Sequence, residues 1–146
     1  MKNIIIDSNI AFSAMVNSNG AIGDLIFNSD EDFKFYSCNY MRHEIKKHWN
    51  RLMKISKLTD MQLEEAYLQL LNKIQFINEE LVPHKTWQKA ETLVGDIDPD
   101  DSEFIAMTIH LKGYLWTGDK ELYNGLKKKK FTRIVYTNEL LDIRKK

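Results

Sequence analysis

Short apolar runs alternate along this chain with longer stretches of helical periodicity, and that alternation restricts the fold more than any other feature. The first run, Lys2 to Ile6, ends in three consecutive isoleucines, which is typical of a strand buried on both faces. Similar runs occupy 33–37, 75–77, 114–116 and 133–136. Strands that alternate with helices favour a parallel sheet covered by helices on both faces. We therefore expect a three-layer α/β fold on a mainly parallel sheet of about five strands.

Helical patterns fill the segments between these predicted strands. Ser8 and Asn9 are suitable N-caps for the first helix, and Asp100 and Glu103 have the spacing of a capping box. The predicted helices cover 10–16, 21–27, 40–55, 60–74, 83–94, 101–111, 120–129 and 138–144.

The composition is typical of one globular domain without a membrane span. The 146 residues are 43% hydrophobic and 29% charged, which provides enough apolar surface for a core. No apolar run approaches the roughly 18 residues that a bilayer requires. Cys38 is the only cysteine, so an intramolecular disulfide is impossible. We expect a single domain over residues 1–146 and, because no signal peptide is recognisable, a cytoplasmic protein.

Charge is balanced over the whole chain but uneven along it. The 21 basic and 21 acidic residues give no support to a dedicated DNA-binding protein. A basic run at 127–130 and the basic residues of one predicted helix are either solvated faces or a means of attracting phosphate. The basic residues of that helix are Arg42, Lys46, Lys47, Arg51 and Lys54.

Four acidic residues, far apart in sequence, stand where a predicted strand ends or a helix begins. Asp7 and Asp119 follow predicted strands, while Glu44 and Asp101 lie near the start of helices. The carboxyl ends of parallel strands share one edge of the sheet, so these side chains are expected to meet there. Clustered carboxylates repel each other unless a cation such as Mg²⁺ or Mn²⁺ compensates their charge. The pattern therefore indicates a metal-dependent phosphodiesterase.

Each acid also has a simpler explanation when it is considered alone. Asp7 and Asp119 could cap the helices that follow them, and Glu44 could form a surface ion pair. The loop acids Asp98, Asp100 and Asp101 could cap a helix or interact with its dipole. The joint placement of all these acids at one sheet edge is what favours a functional site.

The order of these motifs resembles that of the PIN domain, the nuclease fold of VapC-type toxins. The resemblance rests on strand-Asp-Ser-Asn at the start, an acid early in the third predicted helix, and two later motifs. These are Asp-Pro-Asp-Asp-Ser-Glu-Phe-Ile-Ala-Met-Thr at 98–108 and Trp-Thr-Gly-Asp-Lys-Glu-Leu at 116–122. The most specific part is the Thr-x-Asp that begins 16 residues after Asp101. The resemblance implies a ribonuclease that binds Mg²⁺ or Mn²⁺ and cuts single-stranded RNA, including single-stranded parts of structured RNA.

The resemblance also assigns roles to individual residues. It implies that the four acids of the catalytic set are Asp7, Glu44, Asp101 and Asp119, of which Asp7, Asp101 and Asp119 are the metal ligands. Asp98 or Asp100 could share the ligation, so this position stays open. Further polar residues that match positions beside the cluster are Ser8, Asn9 and Thr117.

The same resemblance indicates candidate partners, and the sequence leaves two rival functions. The resemblance implies an antitoxin protein and a second copy of the chain as candidate partners. One rival is a PIN-fold binding module that has lost its metal site. The other is a haloacid-dehalogenase-like phosphatase, although that chemistry requires an Asp where this chain has Asn9. The four histidines have no metal-protease spacing, and we interpret them as structural or surface residues.

Overall fold

The computed structural model describes residues 1–144 and contains one five-stranded sheet. The predicted domain of residues 1–146 also includes Lys145 and Lys146, which lie outside the described residues. The strands are β1 (Lys2–Ile6), β2 (Phe33–Cys38), β3 (Ile74–Ile77), β4 (Tyr114–Trp116) and β5 (Ile134–Val135). Their order in the sheet is β3-β2-β1-β4-β5, and every neighbouring pair is parallel. The α/β prediction is confirmed, and the sheet is fully rather than mainly parallel.

The helices connect these strands as the alternation predicted. They are α1 (Ser8–Val16), α2 (Ala21–Phe27), α3 (Asn39–Lys47), α4 (Trp49–Ser56), α5 (Asp60–Leu71), α6 (His84–Val94), α7 (Ser102–Leu111), α8 (Lys120–Lys128) and α9 (Thr137–Arg144). Short 3-10 turns cover Glu79–Leu81 and Pro99–Asp101.

Helices cover both faces of the sheet and enclose the core between them. Helix α7 packs against β1, β2 and β4, and α6 packs against α7. A second group forms around α1, which contacts α2, α3, α4 and α5. Ile4, Ile5 and Ile6 point alternately to the two faces and are all fully buried. Burial on both sides explains why this strand has no alternation of apolar and polar residues.

Three local predictions about the helices were wrong. The helix expected over 40–55 is two helices, α3 and α4, which are separated at His48. Ser8 and Asn9 do not cap α1, because they are its first residues and Asp7 is the N-cap. The capping box at Asp100 does not form, because Asp100 lies within a 3-10 turn and α7 begins only at Ser102. In the described part of the chain, no helix is long and apolar enough to cross a membrane.

Candidate active site

The candidate active site lies at the carboxyl edge of the three central strands. Asp7 directly follows β1, the middle strand, and Asp119 comes three residues after the end of β4. Helix α3, which carries Glu44, begins directly after β2. Because β2 and β4 are the two neighbours of β1, the segments that follow these strands begin side by side.

Asp7 is a buried carboxylate that also begins a helix. Its side chain is only 5% exposed, and its Oδ1 accepts a hydrogen bond of 2.9 Å from the backbone N–H of Ile10. Burial raises the pKa of Asp7 to about 6, and the negative charge of Asp119 adds to this rise. Hydrogen bonds from the Ile10 N–H and the Thr117 hydroxyl lower the pKa but do not offset burial.

Glu44 is held by contacts on both of its carboxylate oxygens. The Ser8 hydroxyl donates a hydrogen bond of 3.3 Å to Oε1. Nε2 of His48, one turn further along the chain, lies 3.8 Å from Oε2. These contacts connect the start of α1 to α3 and keep the carboxylate half-buried beside Asp7.

Asp101 closes the 3-10 turn that precedes α7. The turn is stabilised by Asp98, whose Oδ1 accepts a hydrogen bond of 3.0 Å from the N–H of Asp100. The pKa of Asp101 is raised to about 7, first by burial and then by the negative charge of Asp98. Asp7, Asp119 and Asp100 raise it further, in that order. Asp101 is therefore within electrostatic range of acids from two other segments of the chain.

Asp119 caps α8 while its charge acts on the other acids. Its Oδ1 accepts hydrogen bonds of 2.9 and 3.1 Å from the N–H groups of Glu121 and Leu122. Its own N–H donates to the hydroxyl of Thr117, which is buried and also contacts Asp7. Thr117 therefore connects the segment after β4 to the segment after β1.

A cavity of about 230 Å³ opens between α1, α3 and the turn before α7. Its acidic lining residues are Asp7, Glu44, Asp98, Asp100 and Asp101. The other lining residues are Ser8, Asn9, Phe12, His48, Arg51 and Phe104. Asp119 and Thr117 are not lining residues, and they act on the cavity through the charge of Asp119 and the hydrogen bond of Thr117 to Asp7.

The donor chemistry of this cavity suits a hard divalent cation. Carboxylate oxygens are the ligands that Mg²⁺ and Mn²⁺ prefer. Within residues 1–144, however, no three His, Cys, Asp or Glu side chains are arranged closely enough to hold an ion without movement. Like charges separate when nothing neutralises them, so ligation requires rotation of these side chains toward one another. Burial and, to a smaller extent, the same repulsion raise the pKa values of Asp7 and Asp101.

Two residues that line the cavity, and one acid outside its lining, were not foreseen from the sequence as parts of the site. His48, interpreted as structural or surface, and Arg51, interpreted as part of a basic helix, both line the cavity. The spacing in the sequence could have indicated this. Glu44, His48 and Arg51 are four and three residues apart, so they share one face of the single helix predicted over 40–55. The acid outside the lining is Glu103, whose pKa is raised by burial and by the charges of Glu79, Asp100 and Glu44. It extends the acidic region beyond the predicted set.

The lysine run has a structural role in part. Lys129 Nζ donates a hydrogen bond of 2.7 Å to the carbonyl of Leu93 and forms an ion pair with Asp96. Lys127 Nζ lies 5.1 Å from the centre of the Tyr123 ring, which is a cation–π distance. At least these two lysines have partners within the protein.

Comparisons with known proteins agree with this fold. Residues 5–139 match the family model of the PIN domain, so the chain belongs to the PIN domain family. The chain is also similar to a chain in the crystal structure of VapBC2 from Rickettsia felis bound to a DNA fragment from their promoter. That likeness has a TM-score of 0.65 at 12% identity, over 92% of this chain and 96% of that chain, and it concerns the fold. A search of curated proteins finds no significant match.

Proposed function

We propose that this protein is a metal-dependent endoribonuclease that hydrolyses phosphodiester bonds of single-stranded RNA. The observation that carries the proposal is that carboxylates from three separate segments line one cavity, while the charge of Asp119, from a fourth segment, raises the pKa values of Asp7 and Asp101. Such a cluster is costly for a folded protein, because burial and mutual repulsion both oppose ionisation. Membership of the PIN domain family, which consists generally of nucleases, supports the same activity.

In this proposal Asp7, Asp101 and Asp119 hold Mg²⁺ or Mn²⁺, with Asp98 or Asp100 as an additional ligand. When bound, such an ion activates water and neutralises part of the negative charge of the phosphate. Backbone hydrogen bonds prepare two of these ligands. The N–H of Ile10 fixes Oδ1 of Asp7, and the N–H groups of Glu121 and Leu122 fix Oδ1 of Asp119.

Glu44 is proposed to orient the attacking water and to accept its proton. The Ser8 hydroxyl and His48 hold the two oxygens of Glu44, so the carboxylate keeps one direction in the cavity. Hydrolysis forms a bond between the water oxygen and phosphorus and breaks one ester P–O bond. The departing oxygen takes up a proton from solvent, and Glu44 returns to solvent the proton that it accepted from the water. Asn9 lines the same cavity and can donate a hydrogen bond to a phosphate oxygen, while Thr117 keeps Asp7 in place.

We further propose that the protein is the toxin of a type II toxin–antitoxin pair. The similar chain belongs to the structure of VapBC2 bound to a DNA fragment from their promoter, and this supports an antitoxin as a partner. A homodimer is proposed from the resemblance to VapC-type toxins alone. A short reading frame directly upstream that encodes a DNA-binding protein, and whose product copurifies with this chain, would support the pairing. A chain that purifies alone beside an unrelated upstream gene would contradict it.

The proposed activity is tested by cleavage of a fluorogenic single-stranded RNA in Mn²⁺. The wild type should cleave and should stop when the metal is chelated, and Asp7→Asn and Asp101→Asn should each reduce kcat/KM by at least about 100-fold. Asp142 is an exposed acid on α9, so Asp142→Asn is a matched control that should keep full activity.

The same assay separates the rival functions. RNA binding without cleavage in any divalent metal would favour a binding module with a degenerate site. Hydrolysis of a phosphate monoester such as p-nitrophenyl phosphate, with the RNA left intact, would favour a phosphatase. Equal RNA cleavage by Asp7→Asn and wild type would contradict the proposed site.

A further inference from the structure

One cationic side chain, Arg51, faces the acidic cavity from α4. Glu44 on α3 and His48 at the break between α3 and α4 line the same cavity. Asp7 is almost fully buried, whereas Arg51 is exposed. The cavity therefore has the buried carboxylate of Asp7 at its inner end and the exposed side chains of Arg51 and Asp100 toward solvent.

Within residues 1–144, Arg51 forms no ion pair with an acid, although five carboxylates line the same cavity. The ion pairs found within residues 1–144 join Glu44 to His48, Asp30 to Lys73, Asp96 to Lys129 and Asp24 to Arg144. A guanidinium at hydrogen-bond distance from a carboxylate would form a bidentate pair. Since Arg51 forms none in the described part of the chain, its donors face the cavity and the solvent.

His48, the other basic residue among those that line the cavity, does contact an acid. Its Nε2 lies 3.8 Å from Oε2 of Glu44, and its imidazole meets the ring of Phe12 edge-on, with 5.7 Å between ring centres. In the described part of the chain, Arg51 is thus the basic residue of this lining that remains available to a ligand.

We propose that Arg51 binds a backbone phosphate of single-stranded RNA next to the bond that is cut. This inference rests on the proposed function and names a substrate-binding residue of that site. The carboxylates repel an approaching phosphodiester, and a charged donor at the solvent end of the cavity offsets that repulsion. The planar guanidinium fits the two non-bridging oxygens of a phosphate better than an ammonium group does.

The chain offers a matched control for this residue. Lys54 lies one turn further along α4, is exposed and basic, and is not among the residues that line the cavity. Replacing either side chain by Ala removes one positive charge from the same helix. A difference between Arg51→Ala and Lys54→Ala therefore reports the position of the charge and not its loss alone.

The experiment measures KM and kcat for a fluorogenic single-stranded RNA in Mn²⁺, and the Kd of a labelled single-stranded RNA in chelator by fluorescence anisotropy. Arg51→Ala should raise KM and Kd about 10-fold, with kcat within about twofold of wild type. Arg51→Lys should recover part of this loss, and Lys54→Ala should stay within about twofold of wild type. The dependence of log Kd on log salt should become shallower by about one for Arg51→Ala.

Two results would overturn the inference. One is an equal change in Kd for Arg51→Ala and Lys54→Ala, including the case in which wild type binds no RNA. The other is an altered Mn²⁺ affinity in Arg51→Ala with unchanged Kd, which would mean that Arg51 serves the acids and not the substrate. The proposed function fails in a different way, by absence of Mn²⁺-dependent cleavage in the wild type, and the anisotropy measurement in chelator does not depend on cleavage.

Discussion

At the scale of single residues, Asp7 and Asp119 each serve the fold and the cavity at once. Each accepts backbone N–H bonds at the start of a helix, and the charge of each acts on other acids. An Asn in either position keeps an oxygen that can accept the same bonds but removes the charge. The Asp-to-Asn substitutions therefore separate the structural role from the electrostatic one.

Asp101 is expected to destabilise the metal-free protein at neutral and alkaline pH. Its pKa is about 7 in the folded protein against 3.8 as its ordinary value. Between these values the folded chain binds more protons than the unfolded chain, so stability falls as pH rises from about 4 to 7. Below pH 4 the side chain is protonated in both states and this cost disappears.

Asp101→Asn should therefore be more stable than wild type in chelator at pH 8, by at least about 1 kcal/mol or roughly 3 °C in Tm. The gain should vanish near pH 4, where Asp101 carries no charge. Thermal melts of both proteins at the two pH values check this, with Asp142→Asn as the control. An equal difference in Tm at pH 4 and pH 8 would show that the effect is not electrostatic.

At the scale of secondary-structure elements, α8 holds the loop between α6 and α7, which carries Asp98, Asp100 and Asp101. Lys129, directly after α8, binds the carbonyl of Leu93 and the side chain of Asp96. A Cβ added at Gly125 would lie 2.6 Å from Cδ1 of Ile97, so that side chain packs directly on the helix backbone. Asp119 caps the start of α8, so this one helix positions both Asp119 and the loop that leads to Asp98.

Lys129→Ala should loosen this loop and lower the affinity for Mn²⁺ and the kcat of RNA cleavage by several-fold. The Tm should change little, because a single exposed ion pair contributes about 0–1 kcal/mol. Lys128→Ala is the matched control, since Lys128 is exposed and neighbours Lys129 in the same lysine run. Metal titration and steady-state kinetics of both variants check the prediction, and equal behaviour would contradict it.

The elements themselves were predictable where their signals are local. The bounds of β1 and α2 agree with the sequence patterns, because an isoleucine run and a Gly20-led helix leave little alternative. The break at His48 was not predictable, since no Gly or Pro marks it and the apolar spacing of Met41, Ile45 and Leu52 continues across it. That break depends on packing of α4 against α1 and α5, which a local pattern does not contain.

At the scale of the whole molecule, strand order decides which acids meet. The sequence predicts that acids after parallel strands share one edge, but not that β1 lies between β2 and β4. With β1 at the edge of the sheet, Asp7 and Asp119 could have been separated by two strands. The inclusion of Arg51 and His48 in the cavity was equally out of reach, because it depends on how α3 and α4 cross α1.

Several predictions from the sequence are still open. The assignments of Asp7, Glu44, Asp101 and Asp119 as catalytic residues, and of three of them as metal ligands, remain predictions supported by their placement. The acids gather on one sheet edge, yet within residues 1–144 they do not form a ready-made ligand set. Binding of an ion is therefore the step on which the account depends.

Isothermal titration of the purified protein with Mn²⁺ tests that step most directly. At pH 7.5 the wild type should bind Mn²⁺, and Asp7→Asn and Asp101→Asn should each weaken binding at least about 10-fold, because each removes a negative ligand. Binding should weaken in the wild type at pH 5.5, where protons compete for Asp7 and Asp101, whose pKa values are about 6 and 7. Asp142→Asn should bind like wild type. A wild-type protein that binds no Mn²⁺ at pH 7.5, or binds it no better than Asp7→Asn and Asp101→Asn do, would contradict the account.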